Sequence, residues 1–189
     1  QALAAPVSEC DAASRRDILS RRAATCLPPH WLESPLSLLT RLAPIELLAW
    51  PLAQAYGVEV LVKREDLLDP FLGGNKFYKL YYHLKAALAS GCQQLITFGG
   101  AFSNHLYAVA KAAQQLNLRA IGVVRGDAEV DLSPTLRDAQ ACGMILHFVS
   151  RGDYRLKHTE HFIQRLVERV GPGYLVPEGG GDLLGARGM

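Results

Sequence analysis

The sequence has no excess of charge of either sign, few cysteines and no long apolar run. Its 20 basic and 18 acidic residues give a formal net charge of +2, so no strong field indicates a nucleic acid or an anionic membrane as partner. The four cysteines form no CxxC pair, and their spacing suits neither a zinc site nor a dense disulfide framework. No apolar run approaches the roughly 20 residues that cross a bilayer. These absences predict a globular, cytoplasmic protein with reduced thiols.

The two ends of the sequence are unusual for a complete domain. It opens on Gln1 rather than Met and stops at Met189, soon after a glycine-rich stretch. The first 35 residues are rich in arginine, alanine and serine, as transit peptides are, but Glu9, Asp11 and Asp17 count against one. We expect a surface extension or short helix there, in a sequence that is a fragment.

Short β-branched stretches alternate with longer amphipathic ones from residue 58 onward. Leu80, Leu84 and Leu88 recur every four residues, which predicts a helix with one buried stripe, capped by Asn75. The predicted strands are 58–63, 95–98, 120–124, 145–149 and 174–176, and the predicted helices are 75–90, 104–116, 133–141 and 156–170. This alternation predicts an α/β fold, an open parallel sheet with helices on both faces. Ligands of such sheets collect where loops leave the carboxyl ends of strands.

The first candidate site is Gly73-Gly74-Asn75-Lys76, in the loop that leads into the first long helix. Glycines let the backbone approach a ligand closely. Lys76 falls in the first turn of the helix, where exposed amides and the positive dipole end disfavour the ammonium form. A neutral amine is the nucleophile that a Schiff base requires. An ordinary solvated lysine remains an open alternative from these residues alone.

The second candidate site runs from Gly99 to His105, directly after the predicted strand 95–98. A helix start of this kind accepts an anion or a polar ligand edge. Ser103 offers a hydroxyl, Asn104 offers a donor and acceptors, and His105 titrates near neutrality. Ordinary helix capping by Ser103 or Asn104, with a partly exposed His105, remains equally open. The GxGxxG fingerprint is absent, which counts against a nucleotide-binding module.

The third candidate site is the stretch from Pro177 to Asp182, with the sequence PEGGGD, which follows the predicted strand 174–176. Three glycines again allow a close approach between backbone and ligand. A flexible connector would explain the same residues equally well. His158 and His161 are a fourth possibility, but two ligands do not make a metal site, and we expect both on a solvated helix face and no bound metal.

Taken together, these motifs resemble the 1-aminocyclopropane-1-carboxylate deaminase and D-cysteine desulfhydrase family. Those enzymes depend on pyridoxal phosphate and have the fold-type-II, tryptophan-synthase-β-like architecture. The matching stretches occur in the family's order over residues 55–189, and they are Val62 to Asp66, Gly73 to Lys76 with Lys79 and Leu80, Ser103 to His105, and Pro177 to Asp182 with Leu184 and Gly185.

The resemblance implies a role for each matching residue. Lys76 would bind the aldehyde of pyridoxal phosphate and act as the base for the substrate Cα proton. Asn104 would hydrogen-bond the phenolic oxygen of the cofactor, and Ser103 would lie beside the substrate carboxylate as a second catalytic group. The remaining pocket residues would be Asn75, Lys79, His105 and Gly179. The implied reaction converts a small amino acid into a 2-oxo acid and ammonia.

The sequence departs from the family's pattern in ways that bear on the substrate. Deaminases of the family usually have Gln after the Ser-Asn pair, whereas desulfhydrases often have His, so His105 favours D-cysteine. Phe77 and Tyr78 stand where better-known members often have basic or small polar residues. The family's glycine-rich phosphate cradle lies in its later half, beyond Met189, and without it the chain could be a non-catalytic remnant.

The resemblance also implies a domain arrangement. Residues 1–78 would form an extension and part of a larger domain, residues 79–175 the smaller parallel α/β domain, and residues 176–189 the start of the return to the larger one. The cofactor cleft would lie between the two domains. Full-length relatives commonly form homodimers, so a homodimer is expected of the longer protein.

Overall fold

A computed structural model describes residues 43–67, 72, 74–128 and 131–189 of the chain. The expected extension over residues 1–35 and Gly73 of the first candidate site lie outside the described residues. Within the described ranges, no helix is both long enough and apolar enough to cross a membrane. The same ranges contain no group of three or more His, Cys, Asp or Glu side chains that could hold a metal ion.

Strands and helices alternate along the chain after an initial hairpin. The strands are β1 (Ile45–Leu47), β2 (Leu61–Lys63), β3 (Gln94–Gly99), β4 (Arg119–Arg125), β5 (Met144–Val149) and β6 (Tyr174–Val176). The helices are α1 (Pro51–Ala55), α2 (Asn75–Ala89), α3 (Asn104–Gln115), α4 (Pro134–Ala141), α5 (Arg151–Arg155), α6 (Glu160–Val170) and α7 (Leu183–Gly188). Short 3₁₀ turns occupy Glu65–Leu67 and Glu178–Gly180.

Four of these strands form one parallel sheet in the order β5-β4-β3-β6. One face packs against α2, α3 and α4 through a core that includes Leu84 and Leu106. The opposite face packs against α5 and α6 through a second core that includes Phe98 and Phe162. The predicted parallel sheet with helices on both faces is therefore confirmed. The strands β1 and β2 pair separately as an antiparallel hairpin.

Three local predictions were wrong. Asn75 does not cap α2, because Gly74 occupies the cap position and the cap has no side-chain hydrogen bond. Leu88 is 38% exposed, since Ala87 takes the last buried position of that helix. The predicted helix 156–170 begins only at Glu160, because the Thr159 side chain caps it by accepting from Phe162 N, and the separate helix α5 precedes it.

Candidate active site

The three candidate stretches meet at the carboxyl edge of the parallel sheet. The turn from Gly99 to Ser103 leaves β3, and the turn from Pro177 to Gly181 leaves β6, the strand that pairs with β3. The N-terminus of α2 lies against the second of these turns, where Lys76 Nζ is 3.5 Å from the carbonyl oxygen of Gly179. Residues separated by about a hundred positions therefore come together at the edge where ligands of open α/β sheets bind.

Lys76 is the second residue of α2 and is half-buried. Burial lowers the pKa of its amine below the usual 10.5, and the positive charge of Lys79 lowers it further. Both causes disfavour the ammonium form, since one removes its hydration and the other repels it. More of the Lys76 amine is neutral at a given pH than in a solvated lysine, so its chemistry is that of a nucleophile.

Gly179 and Gly180 shape the turn that Lys76 and Lys79 contact. Gly179 has φ of 69° and Gly180 has φ of 63°, which are left-handed conformations that glycine adopts without strain. A Cβ on Gly180 would lie 3.1 Å from the Cβ of Lys79, so the turn approaches α2 too closely for most side chains. The glycines therefore allow the Gly179 carbonyl to reach the Lys76 amine.

Ser103 is the cap residue of helix α3 and Asn104 is its first residue, and their side chains differ in the hydrogen bonds that they make. The Ser103 hydroxyl caps the helix by accepting a hydrogen bond from Leu106 N, at 3.3 Å. Asn104 is exposed as the first helical residue, and its side chain makes no hydrogen bond with the described residues. No hydrogen bond joins either residue to Lys76 in that part of the chain. Capping by Ser103 is thus established, and the Asn104 amide stays accessible to a ligand.

His105 is 3% exposed, in contrast to the partly exposed ring considered from the sequence. Its Nε2 lies 2.9 Å from Thr97 Oγ1, and the Thr97 hydroxyl donates to the carbonyl of Val176 at 2.9 Å. Since threonine has a single hydroxyl hydrogen, His105 Nε2 must be the donor in their contact. The opposite nitrogen, Nδ1, is then a buried acceptor, and it has no hydrogen-bond partner among the described residues.

Burial, followed by the positive charge of Lys76, lowers the pKa of His105 from 6.5 to about 3. The pKa of His105 is lower in the folded chain than in the unfolded chain, so His105 binds a proton in the unfolded chain first as the pH falls. The stability that the neutral ring contributes is therefore complete above pH 6.5 and is lost on acidification towards pH 3. Between pH 7 and pH 5 the loss from this group amounts to about 2 kcal/mol.

Replacing His105 by glutamine should flatten this dependence, because an amide can donate to Thr97 but does not titrate. The measurement is the free energy of unfolding in urea at pH 7 and pH 5. His158→Gln is the matched control, because it makes the same substitution at an exposed position. Equal slopes for the two variants would contradict the assignment of the slope to His105.

A second buried histidine connects α2 to the segment that follows the glycine turn. His83 is 1% exposed, with Nε2 at 2.9 Å from Asp182 Oδ1 and Nδ1 at 3.3 Å from the Tyr174 hydroxyl. Burial lowers the pKa of His83, and the carboxylate of Asp182 opposes that shift. Asp182 also caps α7 by accepting from Gly185 N. This network fixes the position of the glycine turn relative to the helix that carries Lys76.

Comparison with known proteins identifies the family of the chain that contains these contacts. The family described as "Pyridoxal-phosphate dependent enzyme" matches residues 37–189 of the sequence. The chain belongs to this family. A protein of Pyrococcus abyssi, provisionally named a 1-aminocyclopropane-1-carboxylate deaminase, is 31% identical over 160 residues, which are 80% of this chain and 48% of the relative.

A further relative and a solved structure are also similar to the chain. The D-cysteine desulfhydrase of Salmonella paratyphi B is 29% identical over 168 residues, 82% of this chain and 51% of its own length. The crystal structure of an ACC deaminase homologue has a TM-score of 0.65 at 29% identity and covers 82% of this chain and 50% of that one. The resemblance predicted from the motifs is confirmed, and the chain spans about half the length of these relatives.

Two buried residues that make hydrogen bonds beside the candidate site of this pyridoxal-phosphate-family chain, Thr97 and His83, were not predicted from the sequence. Thr97 is the one polar side chain within the apolar run from Leu95 to Phe98, and this exception was a usable signal. His83 follows Leu80 by three residues on the buried side of α2, which was a second signal. Their partners, Val176 and Asp182, are distant in the sequence and follow only from the tertiary structure.

Proposed function

We propose that the chain is the part of a pyridoxal-phosphate-dependent deaminase or desulfhydrase in which Lys76 binds the cofactor's aldehyde. The observation that carries this proposal is the half-buried Lys76 amine, whose pKa is lowered and which lies 3.5 Å from the Gly179 carbonyl at the carboxyl edge of the sheet. A neutral lysine amine in such a setting is the nucleophile that binds an aldehyde.

The residues at this edge fit the chemical groups of pyridoxal phosphate. The Asn104 amide is exposed and unengaged, so it can donate to the cofactor's phenolic oxygen. Lys79 adds a second positive charge beside Lys76, which suits an anionic cofactor. Asn75 is exposed at the first position of α2, and the carbonyl of Gly179 faces the same amine, so both border the cofactor.

When bound, pyridoxal phosphate supplies an electron sink that stabilises negative charge at the Cα atom of an amino acid. Once the substrate's amino group had replaced Lys76 on the aldehyde, the freed Lys76 amine would accept the Cα proton, because burial and the charge of Lys79 disfavour its ammonium form. Ser103 lies at the N-terminus of α3, where its hydroxyl and the free amides favour a carboxylate, so it orients the substrate. With water consumed, the products would be a 2-oxo acid and ammonia, together with hydrogen sulfide when the substrate is D-cysteine.

The substrate is a small amino acid, either D-cysteine or 1-aminocyclopropane-1-carboxylate. A histidine at position 105 favours D-cysteine, because desulfhydrases of the family often have His after the Ser-Asn pair. Since the ring is buried, we infer that His105 affects the site by ordering the N-terminus of α3. For a full-length protein of this kind we propose a cytoplasmic location and a homodimer.

The test is to trap the cofactor on the chain and to find the residue that holds it. Purified chain is mixed with pyridoxal phosphate, reduced with borohydride and digested, and the modified peptides are identified by mass spectrometry. We expect the label on Lys76 at a limiting dose of cofactor. Labelling spread over exposed lysines in proportion to their accessibility would contradict the proposal and favour a non-catalytic α/β fragment.

A further inference from the structure

His83 contacts the chain on both sides of the glycine turn that lies against Lys76. Tyr174 of β6 precedes the turn, and its hydroxyl lies 3.3 Å from His83 Nδ1. Asp182 follows the turn, and its Oδ1 lies 2.9 Å from His83 Nε2. The turn from Pro177 to Gly181 is therefore held at both ends by one imidazole ring.

The hydrogen atoms of this network have one arrangement when His83 is neutral. A carboxylate only accepts hydrogen bonds, so His83 Nε2–H donates to Asp182, and Nδ1 accepts from the Tyr174 hydroxyl. The ring is 1% exposed, and burial lowers the pKa of His83 from 6.5, which favours this neutral form. Both ring nitrogens thus have a partner, and turning the ring away would leave a buried polar atom unsatisfied.

His83 lies on the same side of α2 as Lys76, seven residues or about two helical turns further along. Burial, then the charge of Lys76 and then that of His83 lower the pKa of His105 from 6.5 to about 3, so both side chains lie near that ring. His83 itself is too deeply buried to touch a ligand. Any effect of His83 on chemistry at this edge of the sheet therefore passes through the turn that it holds.

The turn that His83 holds borders the Lys76 amine. The Gly179 carbonyl oxygen lies 3.5 Å from Lys76 Nζ, and a Cβ on Gly180 would lie 3.1 Å from the Cβ of Lys79. Burial is the largest cause of the lowered pKa of the Lys76 amine. A turn that was free to move away would let water reach the amine, and the pKa of Lys76 would rise towards 10.5.

We propose that His83 is a positioning residue for Lys76, which holds the glycine turn against the Lys76 amine and so keeps that amine partly buried. Partial burial favours the neutral amine, which is the form that attacks an aldehyde. This inference rests on the proposed function for the catalytic role of Lys76, whereas the reactivity of the amine is measurable without cofactor.

The test is the pH profile of acetylation of Lys76 by acetic anhydride, in the chain without cofactor. Peptides are quantified by mass spectrometry, and Lys63, whose amine pairs with Glu65 instead, serves as the internal reference. In His83→Leu we expect the Lys76 profile to move to higher pH by at least about 0.5 unit. Leucine occupies the buried position but makes no hydrogen bond to either side of the turn.

Two further variants separate the hydrogen bond from the shape of the side chain. His83→Gln places an amide N–H near the position of Nε2, so it should keep the parent profile. Asp182→Ser retains an oxygen that can cap α7 by accepting from Gly185 N, but its side chain is too short to reach His83. Asp182→Ser should therefore move the profile as His83→Leu does.

Leu166→Ala is the control for lost stability, because Leu166 is 3% exposed in the core on the opposite face of the sheet. It should lower the free energy of unfolding without moving the Lys76 profile. The proposal is overturned if His83→Leu or Asp182→Ser leaves the profile in place. It is also overturned if His83→Gln or Leu166→Ala moves the profile as far as His83→Leu does.

These outcomes are independent of cofactor trapping on Lys76. A chain that traps pyridoxal phosphate on Lys76, but whose acetylation profile is unchanged in His83→Leu, would overturn the role of His83 alone. A chain whose profile depends on His83 as expected, but which does not trap the cofactor, would overturn the proposed function and leave His83 as the residue that positions the amine.

Discussion

Replacing Lys76 by alanine is expected to abolish selective trapping of pyridoxal phosphate on the chain. Burial and the charge of Lys79 lower the pKa of the Lys76 amine, so it supplies a larger neutral fraction near pH 8 than a solvated lysine does. The rate of imine formation follows that neutral fraction. The initial rate of borohydride-trapped labelling at limiting cofactor should fall at least about tenfold in Lys76→Ala.

Lys63 provides the matched control for this experiment. Its amine forms an ion pair with Glu65 at 2.8 Å, and the hydrogen bond and charge of that carboxylate raise its pKa. Lys63→Ala removes the same number of atoms and the same charge, yet it should leave the trapping rate unchanged. If the two alanine variants lose the same amount of labelling, Lys76 has no special reactivity.

Lys79→Ala separates the two causes of the lowered pKa at Lys76. Removing the neighbouring charge should raise the Lys76 pKa towards its usual value, while the burial of the amine persists. The expected result is a pH profile of trapping displaced to higher pH, with the label still on Lys76. Transfer of the label away from Lys76 in this variant would mean that Lys79 positions the amine.

The parts of the fold that the sequence predicted are those governed by local pattern. Buried strands such as Gln94–Gly99 are mostly apolar, and helical stretches separate them along the sequence, so their parallel arrangement could be inferred. The rule that parallel strands end at one edge places the turns after β3 and β6 together, but it does not place Lys76, which follows the separate hairpin strand β2.

The features of the fold that the sequence did not reveal depend on which of several possible contacts a side chain makes in the folded chain. The Thr159 side chain and the separate helix Arg151–Arg155 interrupt a stretch whose apolar spacing is compatible with one longer helix. His105 was considered only as a partly exposed residue, whereas it is buried and bonded to Thr97 of β3.

Close backbone approach is a further property that sequence alone leaves undetermined, and it determines how α7 packs on α2. Gly185 is buried in α7, and a Cβ built on it would overlap the carbonyl oxygen of Gly180. Gly180 in turn lies against Lys79 of α2. The glycine at position 185 therefore allows α7 to lie against the turn that presents the Gly179 carbonyl to Lys76.

Gly185→Ala is expected to lower the free energy of unfolding by about 3 kcal/mol, because backbone atoms cannot yield as a flexible side chain can. Urea denaturation measures the loss, and hydrogen exchange should show reduced protection of the amides in residues 183–188. Trapping on Lys76 should slow as well, since the Gly179 turn has to move to admit the new methyl group.

Gly152→Ala is the control for the helical effect of the substitution itself. Gly152 lies in α5, and a Cβ there would meet only Ser150 Oγ at 3.6 Å, an ordinary contact. Alanine favours a helix over glycine by up to about 1 kcal/mol, so this variant should be as stable as the parent or more so. If Gly185→Ala were equally well tolerated, the close packing of α7 on the glycine turn would not be what fixes the position of the Gly179 carbonyl.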